Sequence, residues 1–407
     1  MVETLLLVGL AVAVFVGFNI GGSSTGVAFG PAVGSGVVSK LTAAALMTVF
    51  ALLGGWTVGR EVIETMGGEI VPASLFSPTV SIAVLFFIGV SLLLSNVVGV
   101  PASTSMTAVG SIAGLGLATG RLNAEVMLEI VGWWVVSPVV AFWLSGVIGR
   151  YFYPYLVEWF AVTRSDGALL ALDRSGTLPR PTLGPGTTRR EFLGTALVVI
   201  IACYMAFSAG ASNVANAVAP LVGNGSISAS EGVLVGAAAI GVGAFTIARR
   251  TLDTMGNDLT EMPLLAALVV ATVSASVVTF LSALGIPASF VVIATMSIVG
   301  LGWGRATRTS TITQTARGEG PRMSVGALAA DAEDVPTVGD RDAGASPDEH
   351  NPRPRPAPIG DEEPEDIPRA DDLFEPTATA RVILLQNVVP VIATVASYLL
   401  FAYGGVV

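Results

Sequence analysis

The residues best placed to do chemistry in this 407-residue chain are neutral. Asn19, Ser23, Ser24 and Thr25 form one cluster, Ser103, Thr104 and Ser105 a second, Ser212, Asn213 and Asn216 a third, and Ser289 follows a Pro-Ala pair further on. Each cluster lies in apolar surroundings. Amides and hydroxyls donate and accept hydrogen bonds without titrating, so they suit holding a ligand or an ion rather than relaying protons or attacking bonds. The one histidine, His350, sits in an acidic segment, and the single cysteine, Cys203, is on an apolar stretch where packing is its expected role. The glycine-rich run 110–120 lacks the Lys-Ser/Thr of a nucleotide-binding loop. No titratable set converges away from the ends of the apolar stretches, so an enzyme is not expected, and neither is a metal or organic cofactor. A net charge of −10 without a basic face excludes nucleic acid as a partner.

The elements that carry these clusters must be membrane helices. The chain is 52% hydrophobic and 12% charged, with a mean hydropathy of +0.74, far from the roughly 25% charge of a soluble domain. About 20 apolar residues of helix cross a hydrocarbon core of about 30 Å. Stretches near that length occupy 41–58, 78–96, 101–119, 125–148, 231–248, 263–283, 287–303 and 381–403. Two more, 2–38 and 192–223, are too long for one straight span and carry Gly, Asn and Ser near their middles, which predicts broken helices. Glu3 stands where a secretory signal would be positive, so the first stretch reads as a permanent span. Lone hydroxyls such as Ser145 and Ser274 read as helix–helix packing. Trp133, Trp134, Trp143, Tyr151, Tyr153 and Trp159 read as an interfacial belt around one span.

The chain divides into 1–162, a first set of five spans; 163–190, a hydrophilic linker; and 191–304 with 377–407, a second set of five. Segment 305–376 holds 16 acidic and 8 basic residues and 10 of the 23 prolines, a composition that predicts an acidic, disordered loop. Arginines 150, 164, 174, 180, 189 and 190 place the linker in the cytoplasm, and the ends of the acidic loop agree, leaving both termini outside. Re-entrant pieces, which enter and leave on one side, are not separable by hydropathy.

The two sets repeat each other. Gly17-Phe18-Asn19 pairs with Gly210-Ala211-Ser212, Glu64-Thr65-Met66-Gly67 with Asp253-Thr254-Met255-Gly256, and Gly99-Val100-Pro101-Ala102-Ser103 with Gly285-Ile286-Pro287-Ala288-Ser289. Five spans per set make the repeat inverted. The expected fold is therefore an all-α polytopic membrane protein of two inverted-topology repeats with broken helices.

In these residues the chain resembles the inorganic phosphate transporter (PiT) family, and within it the sulfate permease branch. That family has a duplicated Gly-X-Asn-Asp-X-X-Asn break and a duplicated Gly-hydrophobic-Pro-X-Ser-Thr-Thr/Ser turn. Here the first corresponds to Gly17 through Ser23 and to Gly210 through Asn216, the second to Gly99 through Ser105 and to Gly285 through Ser289. The resemblance implies secondary-active transport of a tetrahedral inorganic oxyanion by alternating access, with the anion held near the midplane between the repeats. It further implies that Asn19, Ser23, Ser103, Thr104, Ser105, Ser212, Asn213, Asn216 and Ser289 line the anion site.

Ile20 and Asn213 stand where the family's aspartates would be, and Ser289 is followed by Phe290-Val291 rather than two hydroxyls. Sulfate carries no proton and wants donors only, whereas phosphate near neutral pH needs an acceptor for its O–H. A donor-only pocket costs phosphate about 1–3 kcal/mol. Family resemblance implies phosphate and local chemistry implies sulfate; both stay open at this point. Carbonyls, Asn, Ser and Thr can hold sodium, while a proton relay would need a titratable group, so the coupling cation is expected to be sodium rather than a proton. Cell-membrane lipid is the expected surrounding and a homo-oligomer an open expectation. The lost aspartates also leave open a non-transporting sensor or scaffold of the same ancestry.

Overall fold

A computed structural model describes residues 2–98, 103–159, 170–173, 180–183, 188–247, 263–306 and 376–405. The long helices of the first half are α1 (Val2–Gly34), α2 (Lys40–Thr57), α4 (Pro78–Val98), α5 (Thr104–Thr119) and α6 (Ala124–Val147). Two short ones join them, α3 (Gly59–Glu64) and α7 (Tyr153–Trp159). The second half supplies α8 (Arg189–Gly223), α9 (Ala229–Thr246), α10 (Leu264–Ala283), α11 (Phe290–Ala306) and α12 (Pro376–Tyr403). Seven of the described helices are long and apolar enough to cross a membrane, and Phe290–Arg305 and Asn387–Tyr403 are shorter apolar helices. Leu7, Leu128, Val135, Ile200 and Val391 are among the large apolar side chains left exposed, the surface that lipid would solvate.

The helix ends follow local sequence. Ser39 opens α2 by accepting from Thr42 N–H, Ser228 opens α9 in a reciprocal capping box with Glu231, and Thr188 does the same for α8 with Glu191. Left-handed glycines Gly36 and Gly225 turn the chain between α1 and α2 and between α8 and α9.

The two halves interlock rather than sit side by side. Helix α1 packs on α9 as α8 packs on α2, and α5 packs on α12 as α11 packs on α6. The pairs α1–α4 and α8–α10, α4–α5 and α10–α11, and α4–α12 and α10–α6 match in the same way. Where the central helices cross, backbone lies on backbone. A Cβ on Gly21 would strike the Ile240 carbonyl and one on Gly210 the Ala51 carbonyl; Gly54 and Gly243 meet the Phe207 and Phe18 carbonyls likewise. Every member of these contacts lies 189 residues from its counterpart, as do Gly36 and Gly225, Pro31 and Pro220, and the caps Ser39 and Ser228.

That interval corrects the motif alignment. Gly210-Ala211-Ser212-Asn213 answers to Gly21-Gly22-Ser23-Ser24, one helical turn beyond Gly17-Phe18-Asn19. The position facing Asn213 is therefore Ser24, and Ile20 is a fully buried member of the hydrophobic core.

The expected breaks are absent as well. Both α1 and α8 run unbroken through their polar clusters, for 33 and 35 residues. The polar side chains satisfy themselves on their own helix instead of opening it: Asn19 Nδ2 donates to Phe15 O at 2.8 Å and Thr25 Oγ1 to Gly21 O at 2.7 Å. Helix geometry is irregular elsewhere, in π-helical turns at Thr65–Glu69 and Ile148–Phe152.

Among the described residues the all-helical expectation has one exception, an antiparallel pair β1 (Leu170–Asp173) and β2 (Arg180–Leu183) within the linker, with Leu170 opposite Leu183. The acidic loop with His350, the second copy of the Thr-Met-Gly motif at 253–256, and the Gly-Val-Pro-Ala stretch 99–102 lie outside the described residues.

Two aromatic residues, Trp134 of α6 and Tyr153 of α7, also depart from expectation. Trp134 donates from Nε1 to Pro287 O at 2.8 Å and so fixes the turn before α11. Tyr153 is fully buried with the Arg305 guanidinium 4.5 Å from its ring centroid. Neither behaves as a belt residue, because both are turned towards α11 and its flanks. Ser145 does pack as expected, its hydroxyl 2.5 Å from that of Ser297 where α6 crosses α11.

Candidate functional site

One cavity is lined by Ser23, Ser24, Val27 and Ala28 of α1, Met205, Ala209 and Asn213 of α8, Ser103 and Thr104 at the start of α5, and Phe290 and Val291 at the start of α11. Two long helices form its sides and two helix N-termini point into it. The first N–H groups of a helix have no intrahelical partner, and the aligned peptide dipoles place about half a positive charge at that end. Ser103 caps α5 by accepting from Met106 N–H at 3.2 Å, and Ser289 caps α11 by accepting from Val292 N–H at 3.4 Å. Each cap uses the third N–H of its helix and leaves the first two, at Thr104 and Ser105 and at Phe290 and Val291.

Asn213 is the hub of the polar side. Its Oδ1 accepts from Thr104 Oγ1 at 2.6 Å and from Asn216 Nδ2 at 3.1 Å, and its Nδ2 donates to Ser24 Oγ at 3.4 Å. Behind it, Asn216 Nδ2 also donates to Ser105 Oγ at 3.2 Å, and the Ser105 and Ser212 hydroxyls are 3.1 Å apart. Ser212 donates to Ala288 O at 3.1 Å. Since that bond uses the Ser212 proton, Ser105 is the donor to Ser212. The network leaves the Ser24 and Ser103 hydroxyl protons and the second Asn213 N–H without a described acceptor, so the cavity is offered donors. The amide acceptor of Asn213 is already occupied twice over. The buried Asn216 Oδ1 has no hydrogen-bond partner, but it lies beneath the lining rather than on it.

Of the nine residues expected at the site, Ser23, Ser103, Thr104 and Asn213 line the cavity, while Ser105, Ser212 and Asn216 form the layer that holds them. Ser289 is buried as the α11 cap. Asn19 is elsewhere: a turn before the cavity, it accepts at O and Oδ1 from Asn96 Nδ2 of α4, at 3.1 and 3.0 Å. Its removal from the lining follows from the one-turn correction to the alignment. Ser24, a neutral donor of the first cluster but not one of the nine expected site residues, joins the lining, as do Val27, Ala28, Met205, Ala209, Phe290 and Val291. Phe290-Val291 carried a signal, since it stands where Thr104-Ser105 stands in the first half. The contributions of Met205 and Ala209 arise from helix packing and had none.

Comparison with known proteins gives a consistent picture. A family model described as "Phosphate transporter family" matches residues 20–318. The "Sulfate permease CysP" of Bacillus subtilis (strain 168) is 29% identical over 300 residues, spanning 74% of this chain and 77% of that protein. In fold, the chain is similar to a solved structure titled "The sodium-dependent phosphate transporter". The superposition has a TM-score of 0.62 at 17% identity and covers 98% of this chain and 99% of that one.

Proposed function

Because the chain belongs to the phosphate transporter family and is a multi-pass membrane protein, we propose that it carries a tetrahedral oxyanion, phosphate or sulfate, at the cavity between α1, α8, α5 and α11. The observation that carries this reading is the convergence of two helix N-termini on neutral donors. An anion leaving water needs its hydration shell replaced by fixed donors, and free N–H groups at a positive dipole end supply them. No titratable side chain lines the cavity among the described residues, so no carboxylate there repels a dianion or accepts from phosphate O–H, and the only side-chain acceptors left to that proton are neutral hydroxyls. That chemistry favours sulfate.

The interlocked pairing of helices supports an inverted repeat, α1–α6 answering to α8–α12, with alternating access as the two halves rock around the site. The hairpins α4–α5 and α10–α11 meet the cavity at their tips, so in this reading they reach the midplane and return. The linker and acidic loop face the cytoplasm and both termini lie outside.

Sodium is proposed as the coupling cation, since amide, hydroxyl and carbonyl oxygens are what the site region offers. In proteoliposomes holding the purified chain, an inward ten-fold sodium gradient is expected to raise the accumulation of radiolabelled sulfate about ten-fold over a matched potassium gradient. Equal accumulation, with stimulation by an inward proton gradient instead, would assign the coupling to protons. A ten-fold gradient supplies about 1.4 kcal/mol for each sodium carried, which sustains a ten-fold accumulation.

Selectivity gives a second test. Placing carboxylates on the paired lining residues, by Ser24→Asp with Asn213→Asp, is expected to shift relative uptake towards phosphate by about ten-fold, because each carboxylate repels sulfate and accepts from phosphate O–H. Relative uptake that stays as in the parent protein would refute the donor-only account. Ile20→Asp would bury a carboxylate in the apolar core and is expected to impair folding instead.

A further inference from the structure

The cavity is polar on one wall only. Thr104, Ser105 and Asn216 belong to the hydrogen-bonded cluster around Asn213. Their counterparts in the other half, at the intervals of 186 and 189 residues, are Phe290, Val291 and Val27. All three of these apolar residues line the same cavity, and Met205 joins them. Packing agrees with the chemistry: Thr104 and Ser105 tie the start of α5 to Asn213 and Ser212 of α8.

A symmetric ion with four equivalent oxygens is poorly matched to such a space. The donors of Ser24, Ser103 and Asn213 and the free N–H groups of α5 and α11 can hold three oxygens, while a fourth oxygen set against the side chains of Val27, Phe290 and Val291 gives up its water without a replacement. An apolar substituent at that fourth vertex has the opposite preference, since it leaves water for a hydrocarbon wall.

From this asymmetry we infer that the site also accepts tetrahedral anions in which one oxygen is replaced by a small alkyl group, that is, short alkanesulfonates, with the alkyl group against Phe290, Val291 and Val27. Phe290 and Val291 are then the specificity-determining residues. The inference rests on the oxyanion reading of the cavity and goes beyond it in substrate class.

The test pairs direct binding of radiolabelled methanesulfonate to the purified, detergent-solubilised full chain with sulfate uptake in proteoliposomes. Methanesulfonate is expected to bind, and to inhibit sulfate uptake at concentrations no higher than unlabelled sulfate requires. Phe290→Thr with Val291→Ser copies the first-half pair onto the apolar wall. It is expected to weaken methanesulfonate relative to sulfate at least about ten-fold, the size of effect one methyl group commands in an apolar pocket. Val27→Asn, on a different helix, is expected to act in the same direction and serves if the double variant does not fold. Sulfate uptake that is unaffected by a roughly hundred-fold excess of methanesulfonate, with no methanesulfonate bound, would overturn the inference while leaving oxyanion transport standing. Methanesulfonate binding without any uptake of sulfate or phosphate would support the inference and overturn transport. Binding of neither anion would overturn both.

Discussion

Asn213→Ala is expected to lower sulfate uptake by about two orders of magnitude while the protein still purifies as a folded species. Asn213 is 4% exposed and holds Thr104, Asn216 and Ser24 together. Truncation removes the acceptor of the half-buried Thr104 hydroxyl and of one N–H of the buried Asn216 amide, and a buried group left unpaired costs about 1–3 kcal/mol. The start of α5 then loses its anchor on α8, and with it the placement of the free N–H groups that face the cavity. A displaced positioning element costs roughly 100-fold in rate for a shift of about 1 Å. Asn213→Asp keeps the acceptor and is expected to purify normally, so the pair of variants separates the hub role from bulk. Uptake by the alanine variant within about two-fold of the parent would show that Asn213 is packing rather than part of the site.

Gly21→Val and Gly210→Val are each expected to abolish folding rather than transport alone. At both positions the partner is backbone, the carbonyls of Ile240 and Ala51, so no side-chain rotation can make room. The helices would have to separate along α1–α9 and α2–α8, the crossings that lock the halves together. Overpacking against side chains costs about 1–3 kcal/mol, and a clash with backbone at a helix crossing costs more, a large share of a stability of about 5–15 kcal/mol. Size-exclusion profiles of detergent extracts would read this directly as loss of the monodisperse peak. Gly132→Ala is the control, since a Cβ at Gly132 meets nothing within 4 Å, and it is expected to purify like the parent or slightly better. Monodisperse, transporting Gly21→Val protein would mean that the close crossings of α1 and α9 are not what holds the two halves.

Much of the architecture was legible because membrane helices are written in length and hydropathy. The stretch 78–96 became Pro78–Val98 and 263–283 became Leu264–Ala283, each within two residues. The failures have a common physical origin. Gly and Ser clusters in α1 and α8 admit two readings, a broken backbone or a close crossing, and only the partner helix decides between them. Gly21 lies on the Ile240 carbonyl, so the helix needs its glycine to stay continuous and packed. The motif slip from Ser24 to Ile20 has the same root. A displacement of four residues keeps the same helix face, so hydropathy cannot reject it, whereas the spacing of contacts and left-handed glycines does. Ser103, Thr104 and Asn213 could be named in advance because they stand in the paired motifs that carry the family resemblance. Trp134, bonded to the Pro287 carbonyl from another helix, could not, since nothing in its neighbourhood in the chain differs from an interfacial tryptophan.

The central claim is a neutral, donor-lined oxyanion site, and competition measures it most directly. Radiolabelled sulfate uptake into proteoliposomes is followed with rising unlabelled phosphate at a pH where phosphate is protonated. A donor-only lining predicts that sulfate uptake resists phosphate, with about ten-fold more phosphate than sulfate needed for half inhibition, the effect of one unpaired O–H. Phosphate that blocks sulfate uptake more strongly than sulfate itself, or that is the only anion taken up, would show that the lining hydroxyls serve its proton as acceptors and would contradict the account.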